Sequence, residues 1–382
     1  MLALAGCAQI PPVASGDTKP AADLNGVPQE LLNHLTRGVN VTRWFGYVNN
    51  PNDTNFYLNY FKTEDFANFQ RLGVRFVRLS ITPKVIYDNG QPKATALTYV
   101  DWALDWFKAA DIAVIFDFHD GGELKLDAEG QDNSGFVTFW QAIAKHYQGQ
   151  RENSLIFELM NEPVFRRNPE VWYALQEKTV QAIREIDPGR TLMVSGTGYS
   201  SADQLTKLRP LPEKNLIYTF HNYDPFLFTH QSATWASDNV KPLKHIPFPS
   251  SPEAVAKIID ELSVASQAEV RRYGESRYDA DYLLKQLKKG ADWGRQNHVP
   301  VLLGEFGSLP TVAPPDSRAR WFAAMRAAIM ELKLSNAIWA YDDAMGLGRK
   351  RQPDGTVWLD PVTLKNFYPD AAKPVARPVP EK

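Results

Sequence analysis

Two glutamates stand at the ends of two short apolar segments that lie far apart in the chain. Residues 155–163 read LIFELMNEP and residues 301–307 read VLLGEFG, so Glu162 and Glu305 each follow or close a predicted buried strand. Two carboxylates that face one another can cleave a glycosidic bond, because one protonates the leaving oxygen while the other attacks or activates water. The sequence therefore predicts glycoside hydrolysis with Glu162 and Glu305 as the catalytic pair.

Other polar and aromatic side chains lie at or near the ends of the remaining predicted strands. They are Trp44, Arg78, Asp117, His119, Asn161, His221, Tyr223, Trp339 and Tyr341. Residues two positions apart on a strand point to the same face, so the pairs 117/119, 221/223 and 339/341 can each point inward together. We expect this set to surround the two glutamates.

Some of these side chains also have structural interpretations. Glu158 lies four residues before Glu162 and deeper in the same strand, where we expect a buried carboxylate paired with a basic or hydroxyl group. Asp117 is open to the same interpretation. The tryptophans with helical spacing are predicted to pack in the core: Trp102, Trp106, Trp140, Trp172, Trp293 and Trp321. Trp235 lies outside these helices, and we expect it to stack on a sugar.

The elements that must position these residues alternate between short β-rich runs and longer amphipathic runs. Strands are predicted to begin near residues 39, 76, 113, 155, 191, 216, 299 and 336. Helices are predicted at 63–72, 97–110, 136–146, 169–186, 281–296 and 315–332. Eight such units favour an α/β fold of the closed (β/α)₈ TIM-barrel type over an open doubly wound sheet.

One interval, between the sixth and seventh predicted strands, is more than twice as long as most. It predicts an insertion at about residues 226–278 in the sixth βα loop, with Ser251 and Pro252 beginning a helix inside it. Loops that follow strands form the catalytic face of a barrel. We therefore expect the insertion to wall one side of an open groove.

The composition excludes several classes of protein. The 382 residues are 44% hydrophobic and 23% charged, with a formal net charge of −2 and no long apolar run, which excludes disorder and a membrane-spanning bundle. Such a balance gives no reason to expect nucleic acid as a partner. One cysteine excludes internal disulfides, and the seven histidines form no helical metal-binding motif. We expect no metal, no cofactor, an uncharged substrate and a monomer.

Together these motifs resemble glycoside hydrolase family 5, the cellulase-like retaining β-glycosidases, over about residues 36 to 345. Asn161-Glu162-Pro163 resembles the family's acid/base motif, and Gly304-Glu305-Phe306-Gly307 resembles its nucleophile motif. The resemblance implies that Arg78 and Tyr223 hydrogen-bond Glu305 and that Asn161 binds the sugar 2-hydroxyl. It also implies that His119 and His221 bind sugar or orient the carboxylates, and that Trp339 forms the floor of the subsite where the bond is cleaved. His119 is followed by Asp120 and two glycines, which departs from many relatives.

The function that we predict is a retaining endo-β-1,4-glucanase acting on a β-linked polysaccharide or oligosaccharide. A β-mannanase of the same family is the first alternative, and a sugar-binding barrel without catalysis is the second. A metal-dependent barrel hydrolase would need ligands on strand one, where Asn40-Val41-Thr42 offers no ligand set.

The two ends of the chain carry no predicted chemistry. Residues 1–30 are predicted to be a lipoprotein signal remnant and flexible tether, residues 31–370 the barrel, and residues 371–382 a Pro-rich tail. Leu4-Ala5-Gly6-Cys7 resembles a bacterial lipobox, in which Cys7 is lipidated. We therefore expect export to the periplasm or cell surface, with an outer-membrane lipid anchor as the only membrane contact, or secretion as the alternative.

Overall fold

Eight parallel strands close a barrel in which every strand pairs with its neighbours in chain order. They are β1 (Arg37–Phe45), β2 (Phe76–Ile81), β3 (Ala113–Phe118), β4 (Leu155–Glu158), β5 (Leu192–Ser195), β6 (Leu216–His221), β7 (Val301–Glu305) and β8 (Ser335–Ile338). The ring closes because β1 pairs with both β2 and β8. The predicted (β/α)₈ TIM barrel is confirmed.

The computed structural model describes residues 24–372 except residues 89, 122–123, 125 and 127–129. The predicted lipidation site Cys7, most of the predicted tether and the tail beyond residue 372 lie outside the described residues. Within the described part, no helix is long and apolar enough to cross a membrane.

Helices follow the strands and form the outer layer. They are α1 (Gln29–His34), α2 (Thr54–Asn59), α3 (Thr63–Leu72), α4 (Pro83–Ile86), α5 (Ala94–Ala109), α6 (Ser134–Tyr147), α7 (Pro169–Arg184), α8 (Ala202–Leu205), α9 (Phe226–Thr229), α10 (Pro252–Ala256), α11 (Val264–Glu275), α12 (Ala280–Asn297), α13 (Pro315–Leu332) and α14 (Pro361–Phe367). The six predicted helices are all present, and two of them, α3 and α13, have the predicted bounds. The sequence sets these ends locally: α7 begins with the Asn168 side chain accepting from Glu170 N and Pro169 at its first position, while α3 ends at Gly73 with φ 68°.

The N-terminal face of the barrel is closed by residues on both sides of the predicted tether boundary. Val27, Leu31 and Leu35 are buried against the inward-facing apolar residues of the strands, and Asn215 N donates to Asn25 O at 2.6 Å. Ordered structure therefore begins before the predicted tether boundary at residue 30, because Asn25 and Val27 already contact the barrel.

Two side chains that were expected to surround the glutamates lie in the core instead. Tyr341 is fully buried, and its hydroxyl donates to Asp65 Oδ1 at 2.9 Å, away from the cleft. Trp44 is the other. It is fully buried, its Nε1 donates to Tyr57 O at 3.0 Å, and its ring packs against Phe61 and Phe107 between barrel and helices. The prediction that it binds substrate is wrong for a local reason. Asn40 points into the barrel, and strict alternation would point Trp44 inward too, but the β1–β2 register shifts between Val41 and Phe45.

The other core predictions agree with the structure. Five of the six tryptophans in helical patterns are buried, and Trp102 is partly buried against the same cluster. The insertion lies between β6 and α12 and contains α9, α10 and α11. Ser251 caps α10 by accepting from Ala254 N at 3.1 Å, and the apolar residues Val240, Leu243 and Ile246 give the insertion a buried side. Its N-terminal part reaches the mouth of the barrel.

Candidate active site

A cleft of about 1230 Å³ lies at the C-terminal ends of the strands. Its lining includes eight of the predicted site residues: Glu162, Glu305, His119, Asn161, His221, Tyr223, Trp235 and Trp339. Arg78 lies buried directly beneath the cleft, and Trp44 lies in the core. The barrel thus gathers side chains that are up to 220 residues apart in the chain, as the strand-end argument predicts.

The two glutamates form a close pair. One carboxylate oxygen of Glu162 and one of Glu305 lie within 4.8 Å of each other. Carboxyl groups of retaining glycosidases are about 5 to 5.5 Å apart, whereas inverting enzymes need roughly 6.5 to 9.5 Å to admit a water molecule. The spacing therefore suits direct attack by one glutamate and leaves no room for an intervening water.

Arg78 organises the floor of the site. It is fully buried on β2, and its Nε and Nη2 donate to both oxygens of Glu158 at 2.6 and 2.9 Å. Its Nη1 donates to Glu305 Oε1 at 2.7 Å and to Asn40 Oδ1 at 2.9 Å. The interpretation of Glu158 as a buried partner of a basic group agrees with these contacts. A rigid guanidinium fork thus fixes the nucleophile candidate against the barrel interior.

Glu305 accepts a second strong hydrogen bond from the opposite side. The Tyr223 hydroxyl donates to Glu305 Oε2 at 2.9 Å. Burial and the nearby Glu162 charge raise the pKa of Glu305, the Arg78 charge lowers it, and the net shift is upward. Each oxygen of Glu305 thus accepts a hydrogen bond, one from Arg78 and one from the Tyr223 hydroxyl, and these donors stabilise its carboxylate form.

Glu162 has a different environment. Its side chain is 28% exposed to the cleft, and its Oε1 lies 2.8 Å from His221 Nδ1. Burial raises the pKa of Glu162 to about 7, with His119 and Arg78 lowering it in part and Asp117 raising it. A carboxyl group with this pKa carries a proton at mildly acidic pH, as a general acid must.

His221 lies between the two carboxylates. Its Nδ1 is 2.8 Å from Glu162 and 3.6 Å from Glu305, and burial lowers its pKa to about 4, so the ring is neutral. A side chain at Gly304 would place a Cβ 3.1 Å from His221 Nε2, so the glycine of the second motif makes room for the ring. A neutral imidazole there orients Glu162 without adding a second full charge.

His119 belongs to a second polar group at the cleft floor. Its Nδ1 donates to Asp117 Oδ2 at 2.8 Å, its Nε2 lies 3.0 Å from the Tyr47 hydroxyl, and its ring stacks on Trp339 at 5.4 Å. Burial lowers the pKa of His119, but the Asp117 charge, the hydrogen bond to Asp117 and the Glu305 charge together outweigh it, so the net shift is upward. Asn161 joins this group to the nucleophile side, since its Oδ1 accepts from Arg78 Nη2 at 2.8 Å.

Two residues of the site were missed by the sequence analysis. Asn40 accepts from Arg78 and donates to the carbonyls of Gly304 and Ile338, so it joins β1 to β7 and β8. Its signal was a polar residue inside an otherwise apolar strand. Tyr47 follows a register irregularity and Gly46, and no periodicity marks it as a cleft residue.

Three atoms in the cleft could also ligate a cation. Glu162, His221 and Glu305 each offer one ligand atom, all within 4.8 Å of one another. Arg78 already places a positive charge 2.7 Å from Glu305 Oε1. A metal ion at this position would compete with that contact, so the donor set fits a paired acid and nucleophile better than a metal centre.

Comparisons with known proteins agree with this geometry. The family model Cellulase, glycosyl hydrolase family 5, matches residues 36–345. Endoglucanase C of Acetivibrio thermocellus is 28% identical over 316 residues, which cover 80% of this chain and 90% of the relative. Among solved structures, Thermotoga maritima Cel5A in complex with cellobiose has a TM-score of 0.68 at 24% identity, covering 90% of this chain and 99% of its own. The same enzyme in complex with mannotriose also gives 0.68, at 23% identity and with the same coverage. The chain, which carries both carboxylate motifs within the matched region, belongs to glycosyl hydrolase family 5.

Proposed function

We propose that this protein is an endo-β-1,4-glucanase that cleaves its substrate by a retaining double displacement. The observation that carries the proposal is the Glu162–Glu305 pair, with oxygens within 4.8 Å and separate hydrogen-bond partners. The family model and the endoglucanase relatives support the same activity. A sugar-binding barrel without catalysis has no need for two carboxylates held in different protonation states.

In the first step Glu305 attacks the anomeric carbon and forms a glycosyl-enzyme ester. The glycosidic oxygen takes the proton of Glu162 as its bond to carbon breaks. Arg78 and Tyr223 hold the nucleophile by its two oxygens, so its position needs no reorganisation. Asn161 is placed beside Glu305 to bind the 2-hydroxyl of the sugar under attack.

In the second step Glu162 acts as a base. It accepts a proton from water, the water oxygen attacks the anomeric carbon, and Glu305 leaves as a carboxylate. Two inversions at the same carbon leave the β configuration unchanged. Trp339, whose ring stacks on His119, forms the floor beneath the sugar under attack. No cofactor takes part in either step.

Trp235 is the proposed sugar platform of the insertion. Its side chain is 63% exposed, and it lines the cleft. A ring of this size so exposed in a groove suits stacking on a flat sugar face. Trp235→Ala should raise KM for polysaccharide, and unchanged turnover would contradict the stacking role.

Mannan is the alternative substrate, because the related barrel of Thermotoga maritima Cel5A has been solved with mannotriose as well as cellobiose. The deciding experiment is a panel of soluble β-glucan, β-mannan and xylan, with reducing ends counted and products sized. Activity highest on β-1,4-glucan with products of several lengths supports the proposal. Higher activity on mannan would assign the alternative, and release of one short product would assign exo action.

We also propose that the protein is exported, acts as a monomer and is anchored through lipidated Cys7. The lipobox-like sequence supports the anchor, and several acyl chains would hold the enzyme firmly on a membrane. Mass spectrometry of protein from its native cell tests the modification, and an unmodified Cys7 would refute it. Light scattering of the purified protein tests the monomer.

A further inference from the structure

Three consecutive residues after β5 have left-handed backbone conformations. Gly198, Tyr199 and Ser200 have φ angles of 60°, 61° and 52°. Residues with side chains rarely adopt this conformation, and a run of them persists only where surrounding contacts impose it. Backbone of this kind concentrates at functional sites. The segment 198–200 is therefore a candidate functional element.

The contacts that impose this conformation lead to the acid/base loop. Three hydrogen bonds are made: Gly198 N to Val164 O at 3.2 Å, Tyr199 N to Pro163 O at 3.3 Å, and the Ser200 hydroxyl to Asn161 O at 2.8 Å. The acceptors are the residues on both sides of Glu162. The segment 198–200 and the backbone around the acid/base thus form one hydrogen-bonded unit.

The side chain that this unit presents is the ring of Tyr199. It is 48% exposed and lines the cleft. Arg166 Nη2 donates to its hydroxyl at 2.8 Å, and the guanidinium carbon lies 5.4 Å from the ring centre. Arg166 therefore holds the ring at its hydroxyl and lies against one of its faces, while about half of the side chain remains exposed in the cleft. An aromatic ring with a fixed orientation suits the flat apolar face of a sugar.

The strand order shows on which side of the catalytic pair this ring lies. Glu162 follows β4 and Glu305 ends β7, so the line between them separates β5 and β6 from β8, β1, β2 and β3. His119 and Trp339, the floor for the attacked sugar, lie on the larger arc. Tyr199 lies on the smaller arc, beside the carboxyl group that protonates the leaving oxygen.

We propose that Tyr199, held by Arg166, is a sugar-binding platform on the leaving-group side of the cleft. In the first step it binds a sugar unit of the departing chain. In the second step it binds an acceptor sugar when one takes the place of water. This inference rests on the proposed function and extends it, because a platform on each side of the catalytic pair suits attack on internal bonds.

The test compares two substrates that place different groups on the leaving-group side. Cellopentaose fills that side with sugar, whereas 2,4-dinitrophenyl cellobioside places only an aryl group there. Tyr199→Ala should lower kcat/KM for cellopentaose about 10-fold more than for the aryl substrate, the size of one lost aromatic contact. Tyr199→Phe, which keeps the ring, should retain most of the cellopentaose activity.

Trp358→Ala is the matched control. Trp358 is also a half-exposed ring with a cation beside it, Lys350 Nζ at 5.2 Å, but it is not among the residues that line the cleft. Trp358→Ala should leave kcat/KM unchanged for both substrates. Equal losses on both substrates in Tyr199→Ala, or none on cellopentaose, would overturn the platform.

A measurement on the wild-type protein covers the case in which Tyr199→Ala fails to fold. Enzyme trapped with 2-fluoro-cellobioside should be reactivated by cellobiose in a saturable way, and a crystal of that complex should show the acceptor sugar on the Tyr199 ring. A sugar bound elsewhere would overturn the platform. Failure of the wild-type enzyme to cleave any β-1,4-glucan would instead refute the proposed function. The same comparison of Tyr199→Ala with the wild type, made on the glycan that the enzyme does cleave, would then decide whether Tyr199 is a sugar platform.

Discussion

Replacing Glu162 by alanine should separate the two chemical steps by their need for an acid. A sugar leaving group departs as an alkoxide unless it is protonated, whereas dinitrophenol has a low pKa and departs without help. Glu305 forms the covalent bond with either leaving group. Glu162→Ala should therefore abolish polysaccharide cleavage but still release dinitrophenol from an activated aryl cellobioside.

The size of the effect follows from the protonation of Glu162. With a pKa raised to about 7, about 90% of Glu162 is protonated at pH 6, against about 3% for a glutamate with an ordinary pKa near 4.5. The cleft thus raises the protonated fraction about 30-fold, and a positioned general acid contributes roughly 10² to 10⁴ in rate. We expect Glu162→Ala to lower kcat/KM on glucan by about 10³, and the first-turnover release of dinitrophenol by less than about 10-fold.

The assay is stopped-flow release of dinitrophenol. Deglycosylation has lost its base in Glu162→Ala, so a burst of about one equivalent should precede a slow steady state. Azide should accelerate the slow phase and yield a β-glycosyl azide, because it attacks without base assistance. Glu305→Ala is the control and should give no burst. A burst in Glu305→Ala, and none in Glu162→Ala, would reverse the two roles.

The remaining predictions concern pH dependence and stability. On glucan, kcat/KM should fall as pH rises through about 7, where Glu162 loses its proton, and the aryl substrate should lack this alkaline limb; equal limbs for both substrates would contradict the assignment. Trp44→Ala should lower the free energy of unfolding by about 3–5 kcal/mol in urea titrations, as a large cavity in the core does. Trp339→Ala, which removes a ring that lines the cleft, should greatly reduce glucan turnover; a stable but inactive Trp44→Ala would restore the sequence-based role. Arg78→Met should leave the buried carboxylates of Asp117, Glu158 and Glu305 without their cation, lower the free energy of unfolding by about 3–5 kcal/mol and abolish activity. Near-wild-type stability would show that Arg78 does not organise the floor of the site.

The fold and the catalytic pair could be predicted because their signals are periodic. Eight apolar runs at nearly regular intervals imply the barrel, and a barrel converts a strand-end position in the sequence into a position at the mouth. The carboxylates of Glu162 and Glu305 interrupt two of these runs at that point. Depth along one strand separates Glu158, inside the barrel, from Glu162 at the cleft, because the two positions share the same face.

The errors arise where the backbone departs from regular alternation. A register shift in β1 turns Trp44 into the core and brings Tyr47 to His119, and nothing in the residue types marks such a shift. The residues before α1 have the composition of a linker, yet Val27 among them covers the barrel floor together with Leu31 of α1. Their burial depends on the complete barrel, which a local pattern does not describe.

The platform at Tyr199 was likewise invisible to the sequence. Its position depends on three successive left-handed residues and on hydrogen bonds to a loop that follows another strand. Neither feature has a composition signal, since only Gly198 is a residue that favours this conformation.

The stereochemistry of the first product tests the central claim most directly. Proton NMR of cellopentaose hydrolysis at early times, before mutarotation, should show the β anomer at the new reducing end, because Glu305 and then water each invert the same carbon. The α anomer appearing first would mean a single inversion, and it would contradict the assignment of Glu305 as nucleophile and Glu162 as acid/base.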